Sequence, residues 1–132
     1  MKTIVLTFIV ICMPLMSYAH EGHDKTPGAL PLDGFDQIQA TDHLYLKLKM
    51  EKEGVKIFPF DHDNKPVALQ EVKIEGSATF PKKPKAEKLT FASEDSAFST
   101  KIDAKGAHRY TLDITVTHQG KKEKVKFNVE PQ

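Results

Sequence analysis

Hydrophobic and polar residues alternate strictly along three stretches of this chain. Between positions 43 and 50, every even-numbered residue is apolar and most odd-numbered residues are polar. The same period of two recurs over 110–117 and 124–129. Successive side chains of a strand point to opposite faces of a sheet. The period therefore predicts half-buried β-strands, and in the first stretch the residues expected to face the core are Leu44, Leu46, Leu48 and Met50.

Turn-forming residues separate these strands from further short ones. Segment 51–54 ends in a Gly, and segment 61–66 contains two Asp, one Asn and one Pro; the two turns bound a predicted strand over 55–60. Pro59 lacks a backbone N–H, which indicates an edge position or a bulge near the end of that strand. Gln119-Gly120-Lys121 lies between the last two alternating stretches and predicts a hairpin there.

The remaining pattern favours an all-β fold. Apolar parity changes between Val67 and Val72, which predicts a bulge or a strand break between them. Short strands are expected over 89–91 and 97–102. About seven short strands and no helix are typical of an immunoglobulin-like β-sandwich, with a small barrel as the alternative.

The first 19 residues have the organisation of a secretory signal peptide. Lys2 precedes an apolar run over 4–16, and Ser17-Tyr18-Ala19 places small residues where signal peptidase requires them. Segment 20–36 is polar and contains Pro and Gly, so it predicts a flexible arm ahead of a sandwich domain over 37–132. The apolar run is too short to span a bilayer. We therefore expect a periplasmic or secreted protein that has no stable membrane insertion once the signal is cleaved.

Composition narrows the function classes. The 132 residues suffice for one domain, and 19 basic against 18 acidic residues leave no basic excess for a nucleic-acid partner. The single cysteine, Cys12, lies in the predicted signal peptide, so the mature protein is expected to have no disulfide. No His-Glu-x-x-His motif or phosphate-binding Gly loop is present, and we expect a protein that is not an enzyme.

The residues after the predicted cleavage site have the chemistry of a metal site. Cleavage after Ala19 makes His20 the first residue, so its α-amine and its imidazole can chelate one ion. His23 adds a second imidazole, and Glu21 and Asp24 add carboxylates. This nitrogen and oxygen donor set suits copper(II), nickel(II) or zinc(II), and copper(II) binds most strongly among them. The alternative is that these residues form a solvated segment whose only role is efficient cleavage by signal peptidase.

Four other histidines have distinct expected roles. His62 lies in a predicted turn between two aspartates, and His43 lies on the solvent-facing side of its strand. Both are candidates to complete the metal site, although turn residues and exposed polar residues are common at such positions. His108 has the parity of the core face of the next-to-last strand, so we expect it to be structural and hydrogen-bonded. His118 ends that strand and is expected to be solvated.

Parts of the chain resemble known exported proteins. The start HEGHDKTPG resembles small periplasmic proteins found with copper and heavy-metal resistance systems. The segments TDHLYL and IFPFDHDNKPV resemble a small β domain associated with periplasmic adaptors of metal efflux pumps. Copper carriers of the CopC type are similar in outline. The resemblance covers about residues 20–75 and implies metal binding and transfer to an efflux or envelope partner.

Two other functions compete with metal transfer. A non-catalytic interaction module would dock on an envelope protein through a sheet edge, with segment 20–36 as a tether and with no physiological metal. An N-terminal histidine that binds copper can also support oxidative chemistry, but the chain has no Trp for a substrate platform. Metal capture and transfer remains the leading hypothesis.

Overall fold

The computed structural model describes residues 31–131, which form nine antiparallel strands. In chain order these strands are β1 (Gln37–Ala40), β2 (Tyr45–Glu51), β3 (Gly54–Phe60), β4 (Val72–Thr79), β5 (Glu87–Lys88), β6 (Ala92–Glu94), β7 (Ala97–Lys101), β8 (Tyr110–His118) and β9 (Lys121–Val129). They build one sheet in the order β1-β2-β3-β7-β6 and a second sheet in the order β5-β4-β8-β9. The two sheets enclose a common apolar core.

The strand order confirms the immunoglobulin-like sandwich. In an immunoglobulin constant domain, strands A, B, E and D form one sheet and strands C, F and G form the other. Here β2-β3-β7-β6 has the first arrangement and β4-β8-β9 has the second. The count is nine rather than about seven because β1 and β5 extend one edge of each sheet. These two strands are four and two residues long, too short for an alternating pattern to predict them.

The alternating residues form the core as expected. Leu44 and Leu48 are fully buried from the first sheet, and Leu112 and Phe127 are fully buried from the second. Met50 is half-buried at the rim of the core. Burying one such side chain stabilises a fold by about 1.5–3 kcal/mol relative to leaving it in water. The inward-facing residues of both sheets therefore hold the sandwich together.

The chain crosses between the sheets three times, and strand pairing stops at each crossing. Residues Leu69–Glu71 form a short 3-10 turn between β3 and β4, which confirms the predicted strand break. The strand expected over 89–91 is wrong, because this segment runs from β5 in one sheet to β6 in the other. A segment that crosses between facing sheets leaves the hydrogen-bonded ladder of either sheet and therefore forms no strand. Leu89 and Phe91 still pack their side chains against the core, which explains their apolar character.

Pro59 lies near the end of β3, at an edge position that accommodates a residue without a backbone N–H. Its side chain faces the core, and it lies beyond Ile57, the last residue of β3 that pairs with β7. The Pro59 carbonyl accepts a hydrogen bond from the Val67 N–H at 3.0 Å, outside any regular ladder. Near its end, β3 is therefore an edge on this side, and the predicted edge position is confirmed.

Candidate functional site

The outer face of the first sheet carries an aromatic cluster that the alternating pattern does not reveal. On the side away from the core, Tyr45 lies opposite Phe60 and Lys47 lies opposite Phe58 in the β2–β3 ladder. Phe35 covers this face, with its ring centre 5.0 Å from that of Phe58 and 6.0 Å from that of Phe60. We call these five residues the outer cluster. Both faces of β2 are consequently buried over residues 45–48.

Lys47 is the polar centre of the outer cluster. Only 3% of the residue is exposed, and its ammonium lies 4.0 Å from the ring centre of Phe60 and 5.3 Å from that of Phe35. The ammonium also donates a hydrogen bond to Asn64 Oδ1 at 2.6 Å. A buried cation needs such partners because burial removes its hydration. A sequence signal existed: Phe58 and Phe60 have the opposite parity from Val55 and Ile57.

His62 extends the outer cluster into the turn after β3. Its ring stacks on Tyr45 at a centroid distance of 4.7 Å, and its Nε2 lies 3.2 Å from the Thr41 carbonyl oxygen. A carbonyl only accepts, so this bond requires a proton on Nε2 and leaves the Nδ1 lone pair free. The turn itself is built by Asp61, whose Oδ1 accepts the N–H groups of Asp63 and Lys65 at 2.9 Å each. Asp61 is thus a turn-forming residue.

His43 is fixed by the corner between β1 and β2. Thr41 Oγ1 accepts the N–H groups of His43 at 3.3 Å and Leu44 at 2.8 Å. The imidazole points at β9, where its Nε2 lies 2.9 Å from Lys121 Nζ and its Nδ1 lies 3.8 Å from Glu123 Oε1. The ammonium donates to Nε2 and occupies that lone pair. A metal ion at this nitrogen therefore has to displace Lys121.

The predicted metal ligands fall into two groups. His20, Glu21, His23 and Asp24 lie outside the described residues. His43 and His62 lie inside them, and each of the two contacts Thr41. Residues 31–131 contain no group of three or more His, Cys, Asp or Glu side chains able to hold a metal ion. The described domain thus offers single donors to a metal ion, and the ligand roles of all six residues remain predictions.

A cavity of about 450 Å³ opens beside His62. Its lining includes Thr41, Asp42, Tyr45 and Lys124 together with the His62 ring. The Asp42 carboxylate and the Nδ1 lone pair of His62 are two donors in this lining that can bind a cation. Lys124 also lines the cavity, and its positive charge repels a cation. The cavity has room for an additional segment or ligand that brings its own donors.

The other two histidines depart from expectation. His108 is exposed in the loop before β8, so the predicted core-facing role is wrong. The strand begins only at Tyr110, and the alternating parity does not extend into the preceding loop. Tyr110 is the buried residue at this corner, and burial raises the pKa of its phenol. The predicted solvation of His118 is also wrong, since this residue is half-buried and its Nδ1 is shielded with no hydrogen-bond partner among residues 31–131.

Comparison with known proteins adds no relative. No protein-family model, no curated protein and no solved structure matches the chain. Within residues 31–131, no helix has the length and apolar character needed to cross a membrane.

Proposed function

We propose that this protein is an exported metal-binding protein that captures copper(II) or zinc(II) and transfers it to a metal-resistance or efflux partner in the envelope. The observation that carries the proposal is the pair His20 and His23 directly after a predicted signal-peptidase site. Once signal peptidase has cleaved after Ala19, the α-amine and imidazole of His20 can close a chelate ring on one metal ion. His23 then supplies a second imidazole nitrogen. Copper(II) is the favoured ion because nitrogen donors bind it most strongly among the divalent ions.

The structure supports a role for His62 in completing this site. Phe35 packs on Phe60, Phe60 lies opposite Tyr45, and Tyr45 stacks on His62. The chain thus enters the described domain on the same sheet face that carries the His62 ring. Positions 23 and 35 are twelve residues apart. Twelve residues span at most about 40 Å when fully extended, so His23 has ample length to reach the cavity beside His62.

Transfer to a partner requires a site that is open to exchange. A site made from a terminal amine, two imidazoles of the arm and one domain imidazole can change ligands one at a time. Segment 20–36 is predicted to be a flexible arm, and ordering a flexible segment on binding costs conformational entropy, which lowers affinity and favours release. This arrangement suits capture and handover, and it requires no catalytic step by the protein.

The decisive experiment is native mass spectrometry of protein exported from cells, combined with a competition titration of copper(II) and zinc(II). We expect a mature mass that begins at His20 and one tightly held copper(II) ion. His20→Ala together with His23→Ala should lose at least about tenfold in copper(II) affinity, which corresponds to about 1.4 kcal/mol. His108→Ala is the matched control, because His108 is exposed and lies on a different loop.

One further variant isolates the α-amine. Four additional Ala residues inserted between Ala19 and His20 keep both imidazoles but place the α-amine too far from the His20 imidazole for the two to share one chelate ring. The proposal expects this variant to lose affinity while His108→Ala retains it. A mature chain that begins elsewhere, or copper(II) binding equal in the wild type and the His20→Ala/His23→Ala variant, contradicts the proposal.

A further inference from the structure

A second cavity lies between two loops that meet at one end of the second sheet. The loop after β4 contributes residues 80–83 and the loop before β8 contributes residues 104–109. The two loops are held together because Thr79 pairs with Thr111 at the adjoining end of the β4–β8 ladder. The cavity has a volume of about 340 Å³. This is within the size range of small-ligand pockets.

The lining of this cavity is cationic. It includes Lys82, Lys83, Lys105 and Arg109, together with the His108 imidazole, and residues 31–131 contribute no carboxylate to it. Four permanent positive charges on so small a surface repel one another. Bringing an anion into the cavity relieves that repulsion.

Only two of the four cations have ion-pair partners among residues 31–131. Lys83 and Lys105 share the Glu87 carboxylate, at 3.0 Å and 3.3 Å. Hydrogen bonds from Lys83 and Lys105 lower the pKa of Glu87, so the carboxylate is charged at neutral pH. Asp103 lies next to the cavity in sequence, and its Oδ1 accepts a hydrogen bond from the backbone N–H of Lys105 at 2.9 Å. Within the described chain, Lys82 and Arg109 have no carboxylate at salt-bridge distance, which leaves them free for a ligand.

The floor of the same cavity is apolar. Phe80 is 4% exposed and packs on Tyr110 with a ring-centre distance of 5.6 Å. Pro81, Ala104 and Ala107 complete the floor. The backbone of both loops is fixed by turns, in which the Lys83 N–H donates to the Phe80 carbonyl at 3.1 Å and the Ala107 N–H donates to the Ala104 carbonyl at 2.9 Å. The cavity thus combines a cationic rim with a preformed apolar surface.

We propose that this cavity binds a small organic phosphate, specifically a phosphate monoester whose organic group is apolar. The phosphate lies among Lys82, Lys105 and Arg109, and the organic group packs on the Phe80–Ala107 floor. A phosphate monoester carries close to two negative charges at neutral pH, which matches several cations better than one carboxylate does. Arginine binds phosphate in a bidentate manner, and lysine adds a point charge. The site is independent of the metal site proposed at His20 and His23.

The probe for this site is phenyl phosphate, titrated into the full mature chain in the presence of a metal chelator. Binding is followed by isothermal titration and by amide shifts of residues 80–83 and 104–109 in NMR spectra. Two comparison ligands separate the contributions: inorganic phosphate has the charge alone, and benzyl alcohol has the ring alone. We expect phenyl phosphate to bind at least about tenfold more tightly than either, because only this ligand uses both the rim and the floor.

Matched variants test the location. Lys82→Gln with Arg109→Gln removes two cavity cations, whereas Lys73→Gln with Lys122→Gln removes the same charge from exposed positions of the second sheet. All four side chains lie on exposed residues, so both variants are expected to fold, and thermal unfolding checks this. The first variant should lose about tenfold or more in affinity for phenyl phosphate, and the second should stay within about twofold.

Three results overturn the proposal. Equal loss in both double variants shows that the effect is general charge attraction. Equal affinity for phenyl phosphate and inorganic phosphate shows that the floor does not contribute. Binding of an acidic peptide or of anionic lipid vesicles without binding of phenyl phosphate assigns the cationic rim to a macromolecular partner. None of these results depends on copper(II) or zinc(II), so failure here is distinct from failure of the metal-binding proposal.

Discussion

The ammonium of Lys47 lies 4.0 Å from the centre of the Phe60 ring, on a residue that is only 3% exposed. Among residues 31–131, this buried cation has no carboxylate partner at salt-bridge distance. It is held by the negative face of an aromatic ring and by the Asn64 amide oxygen at 2.6 Å. The contact ties β2 to β3 on the face away from the core. It also positions the surface on which Tyr45 supports His62.

The first prediction concerns the coupling between Lys47 and Phe60. Lys47→Met keeps the aliphatic stem and removes the charge, and Phe60→Leu removes the ring. In a double-mutant cycle, we expect a favourable coupling of about 0.5–2 kcal/mol in the free energy of unfolding, because the cation is desolvated. Urea denaturation of the four proteins measures it.

Lys49→Met in place of Lys47→Met is the control for this cycle. Lys49 lies on the same strand but is exposed, so its coupling to Phe60 should be below about 0.5 kcal/mol. Equal coupling at the two lysines would show that the buried geometry does not matter.

The second prediction concerns Gly54 at the start of β3. A Cβ atom at this position would lie 1.9 Å from the Thr100 carbonyl oxygen and 2.9 Å from the Lys101 Cα. Gly54→Ala should therefore push β3 away from β7 and lower the free energy of unfolding by about 1–3 kcal/mol or more. Hydrogen exchange at the Ile102 N–H, which donates to the Glu53 carbonyl at 2.9 Å, should become faster. Glu53→Ala at the exposed neighbouring position should change stability by less than about 0.5 kcal/mol.

The third prediction concerns the shielded nitrogen of His118. Among residues 31–131, its Nδ1 has no hydrogen-bond partner and no solvent access. His118→Leu removes this unsatisfied group, so we expect the free energy of unfolding to rise by about 1 kcal/mol. His108→Leu, at an exposed histidine, should leave stability within about 0.5 kcal/mol. A loss of stability in His118→Leu, measured by urea denaturation at pH 7.5, would mean that the imidazole makes a favourable interaction.

The fourth prediction concerns pH. Hydrogen bonds from Lys83 and Lys105 lower the pKa of Glu87 below its usual 4.5. A carboxyl group whose pKa is lower in the folded state stabilises the fold above its unfolded-state pKa, and it loses this effect as the pH falls through the folded-state pKa. The stability difference between the wild type and Glu87→Gln should therefore be present at pH 7 and fall toward zero below pH 4.5. It should also shrink in high salt, because the groups are exposed.

Urea denaturation at several pH values checks this linkage. Glu94→Gln serves as the comparison, since Glu94 forms one ion pair with Lys56 at 3.6 Å. The pH dependence should change more in Glu87→Gln than in Glu94→Gln. Equal pH profiles for the two variants would contradict a special role for the Lys83–Glu87–Lys105 contact.

Local patterns were sufficient to predict most of the sandwich. The alternation around Leu46 and Leu112 specified which residues face the core, because a strand has a side-chain period of two. The turn at 61–66 was predictable because Asp and Asn side chains bond to their own backbone, as Asp61 does. Short edge strands such as β5 lack enough residues to show a period.

The candidate site was only partly predictable. His43 and His62 were identified as single residues, but their partners are distant in sequence: His43 contacts Lys121, 78 residues away, and His62 contacts Thr41, 21 residues away. Parity misplaced His108, because an alternating pattern has meaning only within a strand. The cavity at Arg109 and Lys82 was not predicted, because it forms only where two loops meet.

The all-β class, the core-facing residues and the turns follow from the amino-acid sequence alone, because they depend on the side-chain periodicity and backbone preferences of neighbouring residues. The sequence also supplied the signal-peptide and His20–His23 predictions, which concern residues outside the described domain. The burial of Lys47 beneath Phe35 and Phe60 and the contact of Lys121 with the His43 lone pair become visible only in the folded domain. These relationships depend on which sheet faces and edges come together in space, and residues far apart in the chain decide that.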